Sequence, residues 1–132
     1  MFSQAAVFSR CSASPGYYHY LPLVHELEVI ASGNLASELA TAALDQSWVE
    51  EAAADFIITA VYKRTTEKYG ERGIRYVHIE AGHAAQNICL QAAALGIGVV
   101  TVGAFDDDKI AQVTGMGPEE APLYVIPTGK KR

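Results

Sequence analysis

The adjacent residues Lys68 and Tyr69 place an amine beside a phenol. Two such groups can take up or pass on a proton when both face a pocket, which is the chemistry of general acid and base catalysis. The simpler interpretation is a solvated lysine followed by a packed tyrosine, and the residues alone favour it. Lys68 and Tyr69 are the catalytic candidates that this sequence offers.

The turn Gly103-Ala104-Phe105 is a candidate ligand contact, because it joins an apolar run to a helix that Asp106 or Asp107 can cap. Glycine lets a backbone approach a ligand closely, and a helix start leaves amides free. The aspartates at positions 106–108 would repel a phosphate, so the turn suits a neutral or electron-accepting group such as the edge of a flavin ring. On the residues alone, an ordinary strand-to-helix turn is the preferred interpretation.

The residues Glu80, His83 and Asn87 fall on one side of a predicted helix, with the Glu-x-x-His spacing of di-metal carboxylate sites. Such sites need several helices that supply matched ligands, and the pattern is not repeated in the sequence. We therefore expect no metal and interpret the three residues as a hydrogen-bonded packing cluster.

The longest predicted element is a helix from about Gly73 to Leu95, roughly 35 Å long at about 1.5 Å per residue. Its signal is a stripe at steps of three and four, formed by Ile74, Val77, Ala81, Ala84, Ile88, Gln91 and Leu95. A helix of this length leaves apolar surface uncovered in so small a domain. We expect a homodimer in which Gly82 and the nearby alanines allow close helix approach.

The remaining elements alternate between strands and helices, which predicts an α+β or α/β fold with helices packed on a central sheet. Residues 1–132 are expected to form a single domain. The expected elements are an irregular lead-in over residues 1–16, a hairpin of strands 17–21 and 25–30, helices over 34–44 and from Ser47 with a Ser47–Glu50 capping box, a central strand 56–62, a helical segment 63–69 closed by Gly70, a second buried strand 97–102, a helix ending near Gly115, and a last strand 123–126 between Pro122 and Pro127.

Composition and charge exclude several classes of function. The 132 residues carry a net charge of −5, with seven acids and one base up to Ala60, so no basic face for nucleic acid is expected. The longest apolar run, residues 92–105, is broken by three glycines and is shorter than the ~20 residues of a membrane helix. Two cysteines, Cys11 and Cys89, are too few for a disulfide scaffold. We expect a cytoplasmic protein with reduced thiols and no membrane partner.

Five motifs occur in an order that resembles the nitroreductase-like FMN oxidoreductases, and most closely the azoline (thiazole/oxazole) dehydrogenase branch. They are Pro-Gly-Tyr-Tyr-His-Tyr at 15–20, Lys-Tyr-Gly-Glu-Arg-Gly-Ile-Arg-Tyr at 68–76, Glu-Ala-Gly-His-Ala-Ala-Gln-Asn at 80–87, Gly-Ala-Phe-Asp-Asp at 103–107 and Pro-Leu-Tyr at 122–124. The resemblance extends from Pro15 to Gly129.

The resemblance implies a mostly antiparallel sheet flanked by helices, and a dimer that forms through the long central helix and binds FMN at its interface. The backbone of Gly103, Ala104 and Phe105 would face the N5 and O4 edge of the flavin, and Lys68 and Tyr69 would remove a proton. The implied substrate is a small molecule or an azoline-containing peptide, with NAD(P)H as a candidate electron donor. The Gly-His-Ala-Ala-Gln-Asn stretch would be structural.

The chain also departs from the family pattern. Family members have an upstream half whose first helix, rich in Arg and Ser, grips the FMN phosphate, so the sequence resembles the C-terminal half of such an enzyme. Of the basic residues at its end, Lys130 and Arg132 are the candidate phosphate contacts. Two hypotheses follow: an FMN-dependent oxidoreductase that transfers hydride through flavin N5, or a truncated non-catalytic homologue that dimerises but binds flavin weakly or not at all.

Overall fold

The fold is an antiparallel sheet with helices on both faces. The computed structural model describes residues 2–8, as main chain only, and residues 14–131. Within these residues six strands form one sheet in the order β3-β2-β1-β4-β6-β5, and each pair of neighbours is antiparallel. The elements are β1 (Phe2–Phe8), β2 (Gly16–Leu21), β3 (Glu26–Ser32), α1 (Ala36–Ala42), α2 (Ser47–Glu50), β4 (Ala54–Ala60), α3 (Lys63–Tyr69), α4 (Arg72–Ala94), β5 (Ile97–Val99), α5 (Asp107–Thr114) and β6 (Ala121–Lys130). The predicted α+β class is confirmed.

Strand β4 lies inside the sheet and is buried on both faces, as its continuous apolar run predicts. Successive side chains of a strand point to opposite faces, so Ile57 and Ile58 enter different cores. Ile57 packs with Leu39 of α1 and Ile110 of α5, whereas Ile58 packs with residues of α4. The strand ends at Ala60 rather than at residue 62, because Val61 and Tyr62 already accept hydrogen bonds from the first turn of α3.

Helix α4 confirms the predicted long helix within one residue at each end, but the predicted stripe is only partly right. Val77 and Ala81 are buried, whereas Ile74 and Leu95 are 43% and 62% exposed. Ile74 is exposed because another residue of the first turn faces α3. The two helices are so close there that a Cβ on Gly73 would lie 3.0 Å from the Thr66 Cα. Gly73 therefore occupies the contact that the periodicity assigns to Ile74.

The expected irregular lead-in over residues 1–16 is wrong for residues 2–8, which form β1. This strand pairs with β2 on one side and with β4 on the other, where Phe2 lies opposite Ala60 and Phe8 opposite Ala54. Its alanines, Ser3 and Gln4 give no local strand signal, so the pairing depends on partners far along the chain. Cys11 and the rest of residues 9–13 lie outside the described residues.

The second buried strand expected over 97–102 is confirmed only at residues 97–99, and it is not buried. β5 has three residues, each partly exposed, at the edge of the sheet. Val102 instead forms an isolated bridge with Val125. Strand β6 in turn is longer than expected and includes Pro122 and Pro127, which were predicted to bound it.

The hairpin of β2 and β3 is confirmed, but the Ser47–Glu50 capping box is wrong. Ser47 is the first helical residue of α2, so its side chain lies one position past the cap, and no side chain caps the helix. The preceding residue, Gln46, uses its amide elsewhere, donating to the Ala43 carbonyl at 2.6 Å and to the Ala104 carbonyl at 2.9 Å.

The predicted limits of α5 are confirmed. An Asp106 Oδ1 accepts a hydrogen bond from the Lys109 amide at 3.1 Å, and Gly115 ends the helix with φ of 65°. We expect Asp106→Ala to lower the free energy of unfolding by about 1 kcal/mol, because the Lys109 amide loses its acceptor. Urea unfolding measures this change. The matched substitution Asp108→Ala, at the second residue of the helix, should have a smaller effect, and equal effects would contradict the capping role.

No helix in the described part of the chain is both long and apolar enough to cross a membrane.

Candidate functional site

The turn at residues 103–105 is anchored at both ends. Val102 exchanges two backbone hydrogen bonds with Val125, with N···O distances of 2.8 and 3.0 Å. The amide of Asp106 donates to the Ala42 carbonyl at 2.9 Å, and the ring of Phe105 packs against the core formed with α1 and α5. The Gln46 side chain holds the Ala104 carbonyl. The turn therefore has a fixed backbone conformation without regular secondary structure.

Gly103 and Ala104 are exposed residues, and no group among the described residues accepts a hydrogen bond from their amides. A Cβ added to Gly103 would meet nothing within 4 Å, and the φ of Gly103 does not lie in the left-handed region. The backbone conformation therefore does not require glycine here, and the absence of a side chain leaves space beside the turn. Two neighbouring free donors on a rigid, uncovered backbone can bind a flat group that presents hydrogen-bond acceptors along one edge.

A cleft of about 660 Å³ lies at the end of the sheet where Lys130 is paired with Ile97. Its lining includes Trp48 of α2, the backbone of Gly98 and both Lys130 and Lys131. Gly103 and Ala104 are not part of it. The two ammonium groups outnumber the one carboxylate of the lining, that of Glu51, so the cleft has an excess of positive charge suited to an anionic ligand group. The other predicted phosphate contact, Arg132, lies outside the described residues.

Lys68 and Tyr69 line a separate cleft of about 480 Å³ between α3 and α4. Lys68 Nζ lies 5.1 Å from the centroid of the Tyr69 ring, and the ring of Tyr76 meets Tyr69 edge to face at 5.3 Å and 88°. Arg64, Thr65 and Glu80 complete the lining. The structure thus brings the two predicted catalytic residues together at a pocket, although none of the residues 103–105 contributes to it.

The packing cluster predicted for Glu80, His83 and Asn87 is wrong. All three side chains are exposed on α4, and no hydrogen bond joins them among the described residues. Glu80 belongs to the Lys68 cleft, whereas Asn87 lines an apolar cleft of about 500 Å³ between α4 and the sheet. Among the described residues, no three potential metal ligands lie close enough together to hold a metal ion.

Asp55 is a buried ionisable residue that the sequence analysis missed. It lies in β4 between Val7 and Pro127, is 0% exposed, and neither carboxyl oxygen has a hydrogen-bond partner among the described residues. Burial raises the pKa of this carboxyl from 3.8 to about 8. Asp55 is therefore protonated at neutral pH.

A tyrosine and a histidine form a pair beyond the end of β4. The Tyr62 hydroxyl lies 2.7 Å from His78 Nε2, and the two rings meet edge to face. Burial raises the pKa of Tyr62, and the negative charge of Asp107 raises it further. Tyr62 is therefore held as the neutral phenol, with its hydroxyl within hydrogen-bond distance of His78 Nε2.

Comparison with known proteins relates this geometry to one family. The model of the nitroreductase family matches residues 4–130.

The chain belongs to the nitroreductase family.

Its relatives agree in sequence and in fold. MJ1384 of Methanocaldococcus jannaschii, which carries a nitroreductase name, is 46% identical over 116 residues, or 88% of this chain and 58% of that protein. A crystal structure from Anabaena variabilis, also named a nitroreductase, is 33% identical with a TM-score of 0.94 and covers all of this chain and 27% of that one. The microcin synthetase complex McbBCD of E. coli, with truncated pro-MccB17 bound, shares the fold at 23% identity and a TM-score of 0.86, over 99% of this chain and 52% of that one.

The residues of this nitroreductase-family chain fit a flavin, the cofactor typical of the family. The free amides of Gly103 and Ala104 match the acceptor edge of the ring, and the space at Gly103 leaves room for it. The cleft at Lys130 offers positive charge to a phosphate. The ring of Phe105 packs against the core and is partly buried, which leaves its backbone as the candidate contact.

Several residues of this nitroreductase-family site were missed by the sequence analysis. Tyr76 and Glu80 reach the Lys68 cleft only because α3 and α4 cross, and Gln46 reaches Ala104 over 58 positions of sequence. The presence of tyrosines at 69 and 76, on either side of the turn at Gly70, was a usable signal for Tyr76. No local signal points to Gln46 or to the solitary Asp55.

Proposed function

We propose that this nitroreductase-family chain is the flavin-contacting portion of an FMN-dependent oxidoreductase. The chain spans 58% of MJ1384, so the activity proposed is that of a whole enzyme to which these residues contribute. The observation that carries the proposal is the rigid turn with two free amides at Gly103 and Ala104.

Each candidate residue then has a binding role. The amides of Gly103 and Ala104 donate to the N5 and O4 edge of the ring, which orients it against the turn, and Gln46 keeps the Ala104 carbonyl turned away from that edge. Lys130 neutralises the phosphate, with Arg132 as a further phosphate contact. When bound, FMN supplies the hydride acceptor of the reaction.

Proton transfer is assigned to Lys68 and Tyr69. An azoline is oxidised to an azole by loss of one hydride and one proton from the ring, so the reaction needs a base as well as a hydride acceptor. Lys68 and Tyr69 line the same cleft, whose volume of about 480 Å³ can admit a ring of that size. We therefore propose a small-molecule or peptide azoline as the substrate that reduces the flavin. We propose NAD(P)H as the electron donor when the flavin instead reduces a substrate.

We further propose a homodimer formed through the outer face of α4. Ile79 and Leu90 are 49% and 58% exposed there, and a Cβ on Gly82 would meet nothing within 4 Å. An apolar face of this kind is favourable to cover, and Gly82 allows another backbone to approach. A second copy also offers a way to bring a Lys68 cleft to a Gly103 turn.

Fluorescence of Trp48, the single tryptophan of the chain, tests flavin binding, because this residue lines the same cleft as Lys130. We expect FMN to quench Trp48 emission in a saturable, one-to-one titration. Riboflavin, which lacks the phosphate, should bind more weakly. Lys130→Ala should lower FMN affinity roughly 10- to 100-fold, the effect of one hydrogen bond to a charged group, and leave riboflavin binding unchanged.

The matched control is Lys63→Ala, at an exposed lysine outside this cleft. Equal affinity for FMN and riboflavin in the unmodified protein would contradict the phosphate role of Lys130. Protein that quenches with neither ligand would support the alternative, a non-catalytic homologue without flavin.

A further inference from the structure

We propose that Tyr76 is a positioning residue that holds Tyr69, and through it Lys68, in the geometry needed for proton transfer. The inference rests on the proposed function, because it assigns a role within the cleft at Lys68. The proposed function gives Tyr76 no role of its own.

The backbone around the pair is already fixed, which leaves the side chains as the mobile part. Gly70 ends α3 with φ of 58°, a conformation that favours glycine, and Gly73 lies against Thr66. The crossing of α3 and α4 is thereby set by two glycines. The orientation of the Tyr69 ring is not, since that residue is the last of its helix and is 47% exposed.

Tyr76 supplies the missing constraint. Its ring meets Tyr69 edge to face at 5.3 Å and 88°, the arrangement in which the positive ring edge of one tyrosine faces the negative face of another. Lys68 Nζ lies 5.1 Å from the Tyr69 centroid, so the orientation of this ring also determines where the ammonium is attracted. The contact between the two tyrosines involves rings and not hydroxyls.

The ring contact therefore predicts a clear contrast between two substitutions. Tyr76→Phe keeps the ring edge and should preserve the position of Tyr69. Tyr76→Leu keeps an apolar side chain but removes the ring, so Tyr69 gains rotamers and Lys68 loses its fixed neighbour. Misplacement of a catalytic group by about 1 Å can cost 10²-fold in rate, and a partial loss of order is expected to cost about tenfold.

The first measurement is independent of flavin and of turnover. In protein labelled with ¹³C at the tyrosine rings, the Tyr69 resonance is assigned by its loss in Tyr69→Phe. Tyr76→Leu should shift this resonance towards the random-coil position, and Tyr76→Phe should leave it near that of the unmodified protein. The control, Arg75→Ala, changes a neighbouring exposed side chain outside the cleft and should have no effect.

The second measurement uses FMN-loaded protein and a model peptide that contains one thiazoline. Tyr76→Leu should lower kcat about tenfold with KM and FMN affinity unchanged, and Tyr76→Phe should restore it. An unshifted Tyr69 resonance in Tyr76→Leu, or equal loss of kcat in both variants, would overturn the inference. If the unmodified protein binds FMN but oxidises no thiazoline, the proposed function fails, and the Tyr69 resonance alone decides the inference.

Discussion

Replacement of Lys68 by methionine is expected to lower thiazoline-dependent flavin reduction by roughly 10²- to 10⁴-fold, the usual contribution of a positioned acid or base. Methionine keeps the length of the side chain and removes the amine. NADPH-dependent reduction of the same flavin should change little, because the nicotinamide ring gives up a hydride and no base has to remove a proton from carbon. The two rates are compared anaerobically by the loss of visible flavin absorbance.

The contrast between the two donors makes the result specific. If both rates fall together, Lys68 supports flavin binding or the fold and not proton removal. Lys63→Met serves as the control, since Lys63 lies on the same helix, is exposed beside Glu67 and does not line the Lys68 cleft. A Tyr69→Phe variant that loses as much activity as Lys68→Met would assign the proton to the phenol as well.

Replacement of Asp55 by valine is expected to stabilise the protein, and by more as the pH rises. The pKa of Asp55 is raised from 3.8 to about 8 by burial, so the folded state binds a proton that the unfolded state releases between these values. Below about pH 4 the carboxyl is protonated in both states and does not lower the free energy of unfolding. As the pH rises from 4 towards 8, the free energy of unfolding falls. The linked loss is about 1.4 kcal/mol per pH unit within that window.

Urea unfolding of both proteins at pH 5, 6, 7 and 8 tests this prediction. The difference in free energy of unfolding between Asp55→Val and the unmodified protein should grow with pH by about the linkage slope. Asp55→Asn separates charge from polarity, because it keeps a buried polar group that does not ionise. A difference that is constant with pH would contradict a buried, protonated Asp55.

Patterns within a short stretch of sequence predicted the elements that depend on local interactions. The spacing of Val77 and Ala81 identified α4, and Asp106 and Gly115 marked the ends of α5. The five motifs in order also identified the nitroreductase family, which the family match confirms. The azoline branch, the homodimer, the cytoplasmic location and the roles of the site residues stay predictions.

The elements that were missed depend on partners distant in sequence. β1 is a strand because β2 and β4 both pair with it, and the three residues of β5 are defined by their pairing with β6 at the edge of the sheet. The same reason hid most of the candidate site. Tyr76 contacts Tyr69 across a helix crossing, and Asp55 is unusual only because β1 and β6 enclose it. Periodicity describes which face a residue occupies and not what covers that face.

The Gln46 side chain forms a second link between the end of α1 and the turn at 103–105, beside the backbone hydrogen bond from the Asp106 amide to the Ala42 carbonyl. One amide nitrogen grips the carbonyls of Ala43 and Ala104, and Trp48 follows two residues later. A ligand that shifts residues 103–105 would therefore also act on the segment that leads into α2, and the emission of Trp48 would report that shift.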